Sequence, residues 1–281
     1  MANLIMTAGT ELSAIVPQVW SRKFYDVLKN ELPFASLISR DYEGDIQALG
    51  NTVNIFTVPE FSEATELAED AQGDADAVTI AQQALVINKR IYKDFIITNT
   101  AMLQSLPFVD ALRDMAVYAV NKKIDSIIAA SIVPSASSPD HQIAYDSGTT
   151  LQLSDILEAK ELLDAANVPL SDRHAVMGPA QANDIFNITG FTSSDFVLAG
   201  SPLTTGELSQ KLLGFMPHMS NAVGNTSYWF HKSFYAMAIQ QGLNIREYDL
   251  GGTGLRASRI NVDVLAGFKQ LDNKRVVSIS G

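Results

Sequence analysis

Cysteine is absent from the chain, which excludes disulfides, thiolate metal sites and a cysteine nucleophile and agrees with folding inside a cell. Positive charge is scarce: 20 Lys and Arg stand against 31 Asp and Glu, a net charge of −11. Nucleic-acid binders carry a basic stripe, so sequence-specific binding to DNA or RNA is disfavoured. No run of about 18 apolar residues occurs, so no ordinary transmembrane helix is expected. The opening MANLIMTAGTELSAIVPQVW has no basic segment and carries Glu11, unlike a secretory signal.

Catalytic signatures are missing as well. The four histidines, His141, His174, His218 and His231, are dispersed with no two at helical metal spacing; His174, beside a predicted buried strand, reads as a satisfied structural histidine. There is no G-x-S-x-G elbow. GGTG at Gly251–Gly254 lacks the Lys-Ser/Thr of a phosphate loop and precedes a strand, so it reads as a mobile turn. The expectation is a protein that is not an enzyme, with no catalytic residues, no cofactor and no metal.

What is present is apolar mass: 47% of 281 residues are hydrophobic, enough for one large domain or two interleaved ones. In Pro107–Ile132, Val109, Leu112, Ala116, Val120, Ile124, Ile127 and Ile128 recur at steps of three and four, the stripe of an α-helix. At about 1.5 Å per residue it is a rod of roughly 39 Å, on which the flanking segments are expected to pack. Pro17–Leu32 has a helical face with Trp20, an anchor for a core or an interface.

Two stretches alternate as strands. Asn51–Val58 is one. In Leu85–Thr98 the residues Leu85, Ile87, Ile91, Phe95 and Ile97 fall on one side and Asn88, Arg90, Tyr92, Asp94 and Thr98 on the other. Between them Glu60–Ala77 holds seven acidic residues and no Lys or Arg. EF-hand spacing is absent there, so the reading is a protruding hairpin with a solvated acidic tip. So large an excursion with so little to fill a core is unusual in a compact monomer and implies an arm that reaches outside its own domain. Glu66, Asp70, Asp74 and Asp76 of one copy are expected against Lys89, Arg90 and Lys93 of a neighbour, a salt-sensitive contact; the competing reading of the three cations is a solvated strand face.

Past the Ser- and Pro-rich break at Pro134–Thr150, the pattern predicts a helix over Asp155–Ala166 capped by Ser154, with Ile156, Leu157, Leu162 and Leu163 inward. A buried strand over His174–Met177 and a helix from Pro179 follow. Gln210–Met219 is a strand, and Tyr228–Gln240 fits strand or helix. Arg259–Lys269 alternates as a strand, and Asp272-Asn273 turns the chain into Val276–Ile279.

This order of parts resembles the major capsid protein of tailed double-stranded DNA bacteriophages, the Hong-Kong-97-type fold. Two stretches carry the likeness most directly: LLDAANVPLSDRHAVMGP at Leu162–Pro179, similar to an LDxxNVPxxDRxxVxxP pattern, and the closing GLRASRINVDVLAGFKQLDNKRVVSI. The resemblance implies an α+β fold with a long spine helix, an extended β-hairpin loop, and axial and peripheral domains. Its segments would be an N-terminal arm (1–40), the extended loop and flanking strands (41–98), the peripheral domain with the spine helix (99–144), the axial domain (145–250), and strands returning to the peripheral domain (251–281).

It further implies a structural protein that partners itself as pentamers and hexamers in an icosahedral shell, enclosing double-stranded DNA without sequence-specific binding and with no membrane. Assembly would occur in the host bacterial cytoplasm, the product residing in the virion. A separate scaffolding protein, a portal and a possible decoration protein are the other implied partners. Relatives that crosslink use a lysine on the extended loop; Glu60–Ala77 has none, so no covalent crosslinking is expected. Three rivals stand beside this reading: an encapsulin-type nanocompartment shell of the same fold, a soluble α/β enzyme, and a tail or decoration protein, which would lack the spine helix.

Overall fold

The computed structural model describes residues 32–44, 50–57, 61, 63–64, 66, 78–104, 106–137, 139–188, 211–251 and 256–281, with backbone only at 102–104 and 106–108. In chain order the elements are α1 (Phe34–Leu37), β1 (Thr52–Thr57), β2 (Ala81–Thr98), α2 (Asn99–Gln104), α3 (Leu106–Ser131) and β3 (Gln142–Ala144). They continue with α4 (Leu153–Ala165), β4 (Arg173–Met177), α5 (Pro179–Phe186), β5 (Met216–Met219), β6 (Thr226–His231), a 3-10 turn at Lys232–Phe234, β7 (Tyr235–Asp249), β8 (Ala257–Gln270) and β9 (Val276–Ser280).

The long helix forms where its period places it. Val109, Ala116, Val120, Ile124 and Ile128 are buried on α3; the last four pack against Ile91 of β2 and Val262, Val264 and Ala266 of β8, and Val109 against Ile97 and Ile260. One residue on this helix breaks the pattern. Asp125 is fully buried, and its Oδ1 accepts the backbone N–H of Ala35 at 3.3 Å. A four-residue helix has no bonded partners for its first amides; α3 supplies one to α1 from across the core.

Two sheets flank this core. A four-stranded antiparallel sheet has the order β1-β2-β8-β7, and a mixed five-stranded sheet has the order β3-β9-β6-β4-β5. Ala175, Met177, Trp229, Val277 and Ile279 of the second sheet pack against Ile156, Ala159 and Leu163 of α4 and Ala182 and Ile185 of α5. Val176, Phe230 and Val276 belong instead to the cluster that holds Phe34 and the spine helix. Strand side chains alternate between faces, so the five-stranded sheet is apolar on both.

Sheet membership cuts across chain order. Tyr228–Gln240, which fits strand or helix by sequence, divides into the end of β6 and the start of β7, in different sheets. The closing turn at Asp272 forms, its carboxylate accepting Lys274 N–H at 2.9 Å. It does not make a hairpin, because β9 pairs with β3 and β6 while β8 pairs with β2 and β7.

A second correction concerns β2. The register shifts between Ile87 and Lys89, and this bulge turns the strand over. Leu85 and Ile87 therefore pack with Ile55, Ala236 and Ala238, whereas Ile91 packs on the spine helix and Ile97 meets Val109 and Ile260. The five residues expected on one side serve two faces. Gly267 lies opposite the bulge; a Cβ there would come within 2.7 Å of Val86 O and 2.9 Å of the Ile87 side chain.

In α4 the cap is not Ser154, which lies inside the first turn, but a bond from Gln152 N–H to Asp155 Oδ2 at 2.8 Å. Leu157 points outward and is exposed. The helix ends with Asn167 at φ 53° and Val168 N–H bonded back to Leu163 O, the left-handed closure that asparagine tolerates. Arg173 is buried and donates to Val168 O at 2.6 Å and Pro169 O at 2.9 Å, with its guanidinium 2.7 Å from Asp164. The spacing of Asp164, Asn167, Val168, Pro169 and Arg173 is thus one helix stop tied to the start of β4.

Candidate interaction surface

β1 and β2 pair antiparallel from Thr52 opposite Val86 to Thr57 opposite Ala81. Apolar side chains along this stretch stay uncovered: Phe56 is 66% exposed, Phe61 63% and Ile80 60%, and Val78, Val86, Tyr92 and Ile96 are exposed too. Half of the fourteen exposed large apolar side chains among the described residues fall between Phe56 and Ile96. Scattered apolar exposure needs no explanation, but concentration along one stretch of chain is the mark of an interaction surface.

The basic residues expected for contact lie on the same strand. Lys89, Arg90 and Lys93 are exposed on β2. Arg90 is already paired, its Nη2 lying 2.8 Å from Oδ2 of the buried Asp263. For Lys89 and Lys93 no ion pair is formed among the described residues. Lys89 and Arg90 share a crevice of about 490 Å³ with Asn88, Ile91, Tyr92, Lys123 and Ile127. Three cations and no carboxylate line it. Lys123 comes from α3, and sequence reading missed its part here because nothing local ties it to β2. Lys93 lies outside the crevice.

Farther along β2, Arg259 donates to Asp94 through Nε at 3.0 Å, and this bond holds the carboxyl below its ordinary range. Glu66 is exposed. Trp20, Asp70, Asp74 and Asp76 lie outside the described residues. Lys89, Arg90 and Lys93 thus lie exposed on β2, and of the acidic residues expected opposite them only Glu66 is described.

The histidines are less dispersed in space than in sequence. His174 Nδ1 lies 3.3 Å from His218 Nε2, with ring centroids 5.4 Å apart. Burial first, and then the neighbouring His218, keep the His174 imidazole below its ordinary pKa. His231 Nδ1 meets Ser233 Oγ at 2.8 Å, and His141 is fully buried with Nδ1 at 3.2 Å from Val276 O. Among the described residues no three His, Asp or Glu side chains group to hold a metal ion, and no helix is long and apolar enough to cross a membrane.

Comparison with known proteins points one way. Residues 67–280 match a family model described as phage capsid protein. No curated protein matches by sequence. Among solved structures the fold is similar to a chain of Mycobacterium phage Che8, with TM-score 0.78 and 24% identity over 94% of this chain and 96% of that one. It is also similar to the capsid structure of the cyanophage P-SCSP1u, with TM-score 0.76 and 14% identity over 99% of each chain. The asymmetric unit of the bacteriophage PhiM1 mature capsid is a third, with TM-score 0.73 and 12% identity over 99% of this chain and 97% of that one.

Proposed function

The chain belongs to the phage capsid protein family, and we propose that, as the major capsid protein of a tailed phage, it assembles as pentamers and hexamers into an icosahedral shell around double-stranded DNA. The observation that carries this reading is the apolar exposure gathered between Phe56 and Ile96, which no described residue of the subunit covers. Neighbouring copies supply that cover, since repeated contact between identical subunits builds a closed symmetric assembly. The net charge of −11 suits a wall that encloses DNA without gripping its phosphates.

In this reading the acidic segment with Glu66, Asp70, Asp74 and Asp76 lies against Lys89, Arg90 and Lys93 of an adjacent copy, and Trp20 anchors the N-terminal arm. Exposed ion pairs each contribute only about 0–1 kcal/mol, so the charges set register and rate while apolar burial supplies affinity. A separate scaffolding protein, a portal and a decoration protein are the remaining partners, with assembly in the host cytoplasm.

Electron microscopy of the purified protein tests the assembly, with closed shells of fivefold and sixfold capsomers expected. A protein that stays monomeric or dimeric at high concentration refutes it. For the charged contact, reversal at Glu66, Asp70, Asp74 and Asp76 should slow assembly and weaken its salt dependence. Unchanged self-association of that variant would remove the contact.

A further inference from the structure

We propose that His174 and His218 form an open two-imidazole site for a divalent cation of the zinc type. β4 and β5 run parallel, with His174 opposite Met216 and Val176 opposite His218, so both rings stand on one face of the five-stranded sheet. Zinc–imidazole bonds of about 2.0–2.1 Å in tetrahedral geometry set two ligand nitrogens about 3.3–3.4 Å apart. The observed separation of Nδ1 and Nε2 is 3.3 Å, which matches that value. With no ion bound, the same two nitrogens lie at hydrogen-bond distance, one ring donating to the other, and a metal would take the place of that proton.

The surroundings of the pair are partly apolar. Both rings are half-buried, and Phe230 flanks His174 with centroids 6.2 Å apart. Burial first, and then His218, hold the His174 imidazole below its ordinary pKa. The other charges acting on His174 are Asp172, which favours a cation, and His231 and Lys232, which oppose one. No third His, Asp or Glu completes the group among the described residues. Water fills the remaining coordination positions, and the bound ion exchanges freely.

Calorimetric titration of the full chain with Zn²⁺ at about pH 7.5, in excess Ca²⁺ to occupy the many carboxylates, tests the site. One equivalent should bind to the wild type. His174→Gln and His218→Gln should each weaken binding at least about tenfold, a loss of 1.4 kcal/mol or more, and His231→Gln, which removes a group that opposes a cation, should not weaken it. Lowering the pH to about 5.5 should also weaken it, because each imidazole must give up its proton to the metal. Absence of saturable binding to the wild type overturns the proposal, and so does binding that survives in the folded double variant. If His174→Gln fails to fold, His218→Gln on the edge strand β5 decides alone.

Discussion

Replacing Asp125 by Asn should change the response of the fold to acid in a way no surface carboxylate would. Asp125 is fully buried on the apolar face of the spine helix, and burial pushes its carboxyl up to about 6, against the opposing pull of the Ala35 and Phe34 amides. In the unfolded chain the same group titrates near 4. A carboxyl with a raised folded pKa binds its proton more tightly in the native state, so its ionisation at pH 7 costs stability, about 3 kcal/mol here. By linkage roughly half of that cost is relieved by pH 5, and most of it by pH 4. Asn keeps an oxygen for the α1 amides and cannot ionise. Urea unfolding of the unassembled subunit and of Asp125→Asn, followed between pH 7 and pH 4, should therefore show the wild type gaining about 2 kcal/mol on the variant as pH falls. Other carboxylates and histidines act alike on both proteins and cancel. Parallel stability curves would refute the reasoning, and a wild type that loses ground to the variant would reverse its sign.

Three further outcomes are expected. Ile124→Asp, in the core beside Asp125, should abolish the cooperative unfolding transition seen by circular dichroism, whereas Ile124→Val should cost only about 0.5–1.5 kcal/mol. Gly267→Ala should destabilise by about 1–3 kcal/mol in the same assay, because its Cβ meets strand backbone and the Ile87 side chain at the β2 bulge. His174 has a lowered folded pKa, so its contribution is fully present above its ordinary value near 6.5 and is lost as pH falls through the folded one. The melting temperature of the wild type should fall relative to His174→Gln between pH 7.5 and pH 5, and an unchanged gap between the two would exclude that role.

Periodicity made the spine helix and β8 legible, because a 3.6-residue stripe and a two-residue alternation are properties of one element. The α4 stop and its tie to Arg173 were legible as a motif, though not as a buried guanidinium. What escaped depended on partners distant in sequence. The bulge at Ile87/Lys89 is set by the register with β8, more than 170 residues on, so alternation read along β2 carried Leu85 and Ile87 onto the wrong face. Leu157 is exposed because α4 turns its other side to the sheet. β6 and β7 were unresolved because the three residues Lys232–Phe234 carry no glycine or proline to mark the change of sheet. His174 and His218 meet only through pairing of β4 with β5, and Lys123 joins Lys89 only through packing of α3 on β2. The family was legible from order and wording, whereas most of the acidic side of the proposed contact lies outside the described residues.

The ladder between β2 and β8 also decides how the subunit bears load. Interstrand bonds in an antiparallel pair lie across the strands, and β2 is bonded to β8 from Ile87 to Thr98. Tension applied along β2 meets this ladder in shear, so its bonds resist together and do not unzip singly. β8 sits between β2 and β7 and passes the pull to a second ladder. A pull on β2 thus strains the whole four-stranded sheet before any strand slips.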